Sequence, residues 1–191
     1  MSKVTNRIQV LAAVLVGATG LVNPALADYR YADCTACAAR IPDSDGTNDG
    51  VVTADITVPV DVCVGSAILG YSLQLDLAHT NIGDLKVTLK SPTNVSVVVV
   101  NRPVAAGNCA GDDISAAFSD TGSPVTCGST IPALSGEVKS SGLMATFGVT
   151  SQPGVWQVEV RDQAVGGVGY LKDAQFRATC DRIFADGFDG P

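Results

Sequence analysis

The sequence predicts an all-β chain folded as a two-sheet sandwich. Three features lead there. Apolar and polar residues alternate through several short stretches, clusters of Gly, Pro, Ser and Asp separate those stretches, and after residue 28 no apolar pattern of helical period runs for a useful length.

Residues 51–58 form the first expected strand. Residues 67–78 form the second, in which Leu73, Leu75 and Leu77 alternate with Gln74 and Asp76. The third covers residues 84–90, where Leu85, Val87 and Leu89 alternate with Lys86, Thr88 and Lys90. A period of two puts one face of each strand in a core. Residues 95–100 are an apolar run, expected as a strand buried on both faces. A long loop is expected over residues 101–141, followed by strands at 143–149, 154–161 and 168–179. Trp156, Val158 and Val160 alternate with Gln157, Glu159 and Arg161, and Ala174, Phe176 and Ala178 with Gln175, Arg177 and Thr179. Trp156 is expected in the core. About eight strands in a chain of this size suit a sandwich, and periodicity alone leaves an immunoglobulin-like topology open.

The first residues have the pattern of an export signal. Lys3 and Arg7 precede an apolar stretch at 8–22, and Ala25-Leu26-Ala27 has the small-x-small form of a cleavage site. Residues 1–27 are therefore expected to be a signal peptide and the mature chain to begin at Asp28, secreted or periplasmic and without a membrane span. The apolar stretch is short for a transmembrane helix and is interrupted by Gly17 and Gly20. The formal charge of −7 becomes −9 once Lys3 and Arg7 leave. That sign disfavours nucleic acid and anionic membranes as partners and leaves cations as the more natural small ligands.

Six cysteines, all beyond residue 27, suit a disulfide framework in an oxidising compartment. Cys109 and Cys127 share one irregular stretch rich in Gly, Ser and Pro, which favours their pairing. Cys34 and Cys180 bracket the domain and are expected to tie its ends, leaving Cys37 with Cys63. A thioredoxin-like use of Cys34-x-x-Cys37 would need a βαβ context, and a zinc site would need a second ligand pair.

The turn HTNIGDL at residues 79–85 carries the single histidine. It resembles the His-Thr-x-x-Gly-Asp-Leu turn of the P domain, or P/Homo B domain, which follows the catalytic domain in kexin-like and furin-like subtilisin-family proteases. Further anchors occur in the family's order: Ile41-Pro42-Asp43, Gly111-Asp112-Asp113-Ile114, Leu134-Ser135-Gly136, Gly154-Val155-Trp156 leading to Asp162, and Gly169-Tyr170-Leu171. The resemblance implies a jelly-roll, galactose-binding-like sandwich over residues 41–180, with an N-terminal Cys-containing segment at 28–40 and a short tail at 181–191. Some related chains have a bridged loop like that of Cys109 and Cys127. The tail is similar to short aromatic and acidic ends of exported bacterial proteins, which implies sorting or attachment; the alternative is a disordered chain end. The chain departs from the family at Asn81, where an aromatic is common, at Thr93-Asn94 after Ser-Pro, and at Ala174, near which the family has a tryptophan. Loss of that ring bears on any docking surface that would use it.

The resemblance also implies a role. In the family the module stabilises a neighbouring serine protease domain and tunes its calcium and pH dependence. The expected function is thus a non-catalytic module that binds or stabilises an extracellular protein such as a subtilisin-like protease. The alternative is a carbohydrate- or surface-binding jelly roll with a surface glycan as partner.

Serine-protease chemistry needs a nucleophile, a histidine base and an orienting carboxylate, and nothing around His79 matches a subtilisin motif. His79, Gly83 and Asp84 are expected to be structural, with Asp84 accepting backbone amides across the turn. Hydrolase carboxylates would have to come from Asp112 with Asp113 or Asp120 with Asp162, without other support in the sequence. Calcium is the one candidate ligand, because the loop Asp43-Ser44-Asp45-Gly46-Thr47-Asn48-Asp49-Gly50 alternates hard oxygen ligands around glycines. Asp43, Asp45 and Asp49 would supply its carboxylates, and Asp112, Asp113 and Asp120 form a weaker second cluster.

Overall fold

A computed structural model describes residues 28–35, 37–103, 109, 111–128 and 130–181. The expected signal peptide and the tail beyond Asp181 lie outside the described residues. Among the described residues ten strands form two sheets. They are β1 (Asp28–Asp33), β2 (Ala39–Ile41), β3 (Gly50–Val58), β4 (Ile68–His79), β5 (Leu85–Lys90), β6 (Ser96–Asn101), β7 (Ile114–Ser119), β8 (Leu134–Lys139), β9 (Gly154–Asp162) and β10 (Gly169–Cys180). The larger sheet runs β1-β10-β4-β7-β8, with β2 also pairing with β10, and the smaller runs β3-β9-β5-β6. The connections β3 to β4, β4 to β5, β6 to β7, β8 to β9 and β9 to β10 all cross from one sheet to the other, as in a jelly roll. No helix among the described residues is long and apolar enough to cross a membrane.

The alternating residues build the core as their period requires. Leu73, Leu75 and Leu77 of β4, Leu85, Val87 and Leu89 of β5, and Trp156, Val158 and Val160 of β9 are all fully buried. At one end, Trp156 packs between a tilted Phe176 and an edge-on Phe147 at centroid distances of 4.5 and 4.7 Å, and its indole N–H donates to the Gln152 carbonyl at 2.9 Å. Tyr71 completes this aromatic group against Phe147 and Phe176. Burial pushes its phenol up to about 12. Ala174 is fully buried as well, so the position where the family has a ring faces the core and not a docking surface.

Several elements differ from expectation, each for a tertiary reason. The expected loop at 101–141 contains β7 and β8. Both are short, β7 is built of Ile114-Ser115-Ala116-Ala117-Phe118-Ser119, and β8 carries Gly136, so neither has the β-branched content that marks a strand in sequence. They form by pairing, β7 against β4 and β8 in parallel against β7. The expected strand at 143–149 is instead a 3-10 turn, Met144–Phe147. Asp120 caps it from a distant loop, accepting from the Met144 and Ala145 amides at 2.7 and 2.8 Å. The valine run ends up as edge strand β6, not buried on both faces. Its outer edge is covered where the Ser141 and Gly142 amides donate to the Val99 and Val98 carbonyls. The N-terminal segment expected outside the domain adds β1 and β2 to the edge of β10.

The disulfides are Cys34–Cys37, Cys63–Cys180 and Cys109–Cys127. Cys109 and Cys127 pair as the shared loop suggested. The expected pairs Cys34 with Cys180 and Cys37 with Cys63 are not formed. The β3–β4 loop holds Cys63 beside the last residue of β10, at a Cα separation of 5.3 Å, and takes the partner intended for Cys34. Cys63–Cys180 closes a sequence separation of 117 residues and Cys34–Cys37 one of 3. In the loop-entropy account these contribute about 5 and about 2 kcal/mol. Replacing Cys63 and Cys180 together by Ser should therefore lower unfolding stability by about 4 kcal/mol or more, whereas Cys34→Ser with Cys37→Ser should cost about 2 kcal/mol or less. Denaturant titration of the two double variants against the parent checks the order.

Candidate functional site

The inward ladders of β4 and β9 both end in a polar residue. On β4 the buried parity runs Tyr71, Leu73, Leu75, Leu77 and then His79, and on β9 it runs Trp156, Val158, Val160 and then Asp162. The two belong to different sheets. Their side chains meet at the end of the sandwich away from the aromatic group, with His79 Nε2 at 3.2 Å from Asp162 Oδ2 and both side chains fully enclosed. Imidazole and carboxylate so placed must satisfy one another, since neither reaches water.

The other atoms of the pair are engaged too. His79 Nδ1 lies 2.8 Å from the Asn81 carbonyl oxygen and 3.1 Å from the Asn81 amide. A neutral ring accepts from that amide and a charged one donates to that carbonyl, so both forms keep a partner on each nitrogen. The second oxygen of Asp162 accepts from the Ala164 amide at 3.1 Å. Two glycines make room for the ring. A Cβ on Gly167 would stand 2.6 Å from His79 Cε1 and 2.9 Å from Asp162 Oδ2, and one on Gly169 would stand 2.5 Å from His79 Cδ2.

Two further carboxylates hold the loops that frame this pair. Asp113, itself at φ 63, accepts from the His79 amide at 2.9 Å while its own amide donates to the His79 carbonyl. Asp43 reaches across from the loop before β3 and accepts from the Gly166 amide at 3.0 Å and from the Gly167 amide at 3.3 Å. Asp84 departs from expectation. Its carboxylate lies 3.9 Å from Arg102 Nη2, and the amide in the turn, that of Gly83, donates to the Asn81 side chain at 3.0 Å. Asn81, where the family has an aromatic, thus caps the 3-10 turn Ile82–Asp84. Gly83 is needed because a Cβ there would come within 2.7 Å of the Cys109 carbonyl oxygen.

The candidate calcium carboxylates are not brought together. Asp43 turns to the Gly166 and Gly167 amides. Asp45 closes its own turn, accepting from the Thr47 and Asn48 amides at 2.8 and 2.6 Å. The Asn48 side chain and these amides hold its carboxyl below the usual range. Asp49 faces Arg161 at 3.5 Å and accepts from Gln163 Nε2 at 3.2 Å. The weaker cluster is dispersed as well, with Asp113 bound to β4 and Asp120 capping the 3-10 turn. Among the described residues no group of three or more His, Cys, Asp or Glu side chains is placed to hold a metal ion.

The arrangement holds the fold together and does not suit proton transfer to a substrate. His79 is 2 % exposed, and its described partners are a carboxylate and a backbone segment, not a serine hydroxyl. A depression of about 510 Å³ lies at the opposite end of β4, bordered by Leu69, Tyr71, Asp120, Glu137 and Val149. Ser72 and Ser119 line it, without an imidazole. The sequence offers Asp43 as a calcium carboxylate and Asp113 and Asp162 as hydrolase carboxylates; the structure instead gives Asp162 to the His79 ring and Asp43 and Asp113 to backbone amides of the surrounding loops. The signal was there for Asp162, whose position continues the alternation of Trp156, Val158 and Val160.

Breaking the pair from one side should be costly. Asp162→Ala is expected to destabilise by about 3–5 kcal/mol, because it strands a buried imidazole. Replacing both by apolar residues, His79→Leu with Asp162→Leu, should cost less than either single change to Ala. Urea unfolding of the three variants measures this, and a double variant worse than both singles would contradict it. Asp43→Ala should cost about 1 kcal/mol, since the buried Gly167 amide loses its acceptor while the exposed Gly166 amide turns to water. The loss should be the same in calcium and in chelator; a melting temperature that responds to calcium in the parent and not in the variant would assign an ion to that loop.

The proprotein convertase P-domain family model matches residues 70–178. The match takes in His79, Asp113, Asp162, Gly167 and Gly169 and begins after Asp43. No curated protein matches the chain. Among solved structures the chain is similar to the serine protease of Aeromonas sobria in a complex with a chaperone, at 17% identity and a TM-score of 0.45 over 81% of this chain and 26% of that one. It is also similar to the serine protease of Aeromonas sobria on its own, at 14% identity and a TM-score of 0.42 over 80% of this chain and 26% of that one.

Proposed function

The chain belongs to the proprotein convertase P-domain family, and from this we propose that it is an exported, non-catalytic module that binds or stabilises a subtilisin-like serine protease outside the cell. The family match over residues 70–178 is the observation that carries the proposal. The enclosed imidazole supports the non-catalytic part. A general base must lie within hydrogen-bond reach of the proton that it takes from nucleophile or substrate, and both nitrogens of His79 are committed inside the fold. Three disulfides support an oxidising compartment. The alternative of a glycan-binding jelly roll has less behind it. The one tryptophan, Trp156, lies in the core, and Tyr71 is buried beside it.

The test has two arms. The purified chain should leave fluorogenic dibasic and general peptide substrates uncleaved, and turnover that a serine-directed inhibitor abolishes would overturn the non-catalytic reading. Mixed in excess with a subtilisin-like protease secreted by the same cells, the chain should raise the melting temperature of that protease, as a ligand of the native state does. A protease whose melting temperature does not move at any ratio would defeat the partner assignment, whatever the outcome of the first arm.

A further inference from the structure

Asp33 pairs with Gln175 and Ala39 pairs with Leu171, so the chain between β1 and β2 is two residues longer than the stretch of β10 between the same pairings. The extra length is used to reach the other sheet. The Cys34 amide still donates to the Ala174 carbonyl of β10 at 2.9 Å, while the Thr35 amide donates to the Asp55 carbonyl of β3 at 3.1 Å and Cys34 forms a bridge with Ile56. Residues 34 and 35 are therefore a strap across the open side of the sandwich. The Cys34–Cys37 disulfide closes that strap on itself.

We propose that Cys34–Cys37 is a thiol–disulfide exchange site, and that its reduction opens the closed turn beside the strap and so loosens the strap's backbone bonds while the sandwich stays folded. Three observations support it. The bridge spans a sequence separation of 3, against 18 for Cys109–Cys127 and 117 for Cys63–Cys180, so its loss frees the least chain and is the loss that the fold best tolerates. Cys34 is partly exposed and Cys37 is buried, which directs an attacking thiolate to the Cys34 sulfur. Cys63 and Cys180 are both buried; Cys109–Cys127 also has one buried and one partly exposed cysteine, so against that bridge the short span of Cys34–Cys37 decides. The β-sandwich around the motif is no oxidoreductase scaffold, so Cys34 and Cys37 are the substrate of exchange and the co-reactant is a dithiol, small or carried by another protein. Its first thiolate attacks Cys34 Sγ, the Cys34–Cys37 bond breaks, and Cys37 leaves as a thiolate and takes a proton. The second thiol then attacks the mixed disulfide and frees Cys34. The dithiol ends as a disulfide, and the two electrons that it gave up rest on Cys34 and Cys37 as two thiols.

Graded dithiothreitol on the folded chain tests this, with alkylation of free thiols, peptide mass analysis, near-ultraviolet circular dichroism and amide hydrogen exchange on each sample. Cys34 and Cys37 should become labelled together at a dithiothreitol concentration about tenfold below that needed for the other four cysteines, a factor equal to about 30 mV. The near-ultraviolet spectrum should be kept, and exchange at the Cys34 and Thr35 amides should rise. Retention of the Cys34–Cys37 bond until the spectrum is lost, earlier labelling of Cys109 and Cys127, or labelling of Cys34 and Cys37 with unchanged exchange at their strap would each overturn the proposal.

Discussion

The hydrogen bond between His79 and Asp162 joins the two sheets at the point where their inward ladders stop being apolar, and most of the surrounding structure exists on its terms. An apolar pair there would need no partners. A buried imidazole and carboxylate need all of theirs. Asn81 serves the far nitrogen of the ring and Ala164 the second carboxylate oxygen, and the absence of a Cβ at Gly167 and Gly169 leaves the plane of the imidazole free. Asp43 and Asp113 then hold the neighbouring loops through backbone amides. Loops from different parts of the chain thus meet around the pair, each fixed by its own polar contacts.

The two ends of the sandwich are closed by different physics. Around Trp156 the closure is aromatic and tolerant of small displacements, because dispersion and area burial have little directionality. Around His79 it is directional, because hydrogen bonds fail when their geometry drifts. Near the aromatic end Cys63–Cys180 ties the β3–β4 loop to the end of β10, and beside the histidine Cys109–Cys127 fastens the segment whose carbonyl packs on Gly83.

Reactive-looking residues in this chain have mostly structural duties. The acidic loop at 43–49 has the composition of a calcium loop, yet its carboxylates point to three different sets of partners. Of the Asp112-Asp113 pair, Asp113 similarly gives its carboxylate to a backbone amide of β4. Such loops read as ligand sites in sequence because the same property, a short side chain with two strong acceptor oxygens, serves both cations and backbone amides.

The strands β3, β4, β5, β9 and β10, and the face that each buries, were determined by the sequence itself. Alternation with a period of two is a local property, carried by each strand whatever it packs against. The same parity placed His79 and Asp162 inside. Their partnership belonged to the tertiary structure, since residues separated by 83 positions meet only once the sheets have closed. The closed fold likewise decided that Ala- and Ser-rich β7 is a strand, that residues near 145 form a turn capped by Asp120, and that Cys63, not Cys34, bonds Cys180. Each of these depends on which distant chain segment lies within hydrogen-bond or disulfide reach in the closed fold, and no local pattern records that.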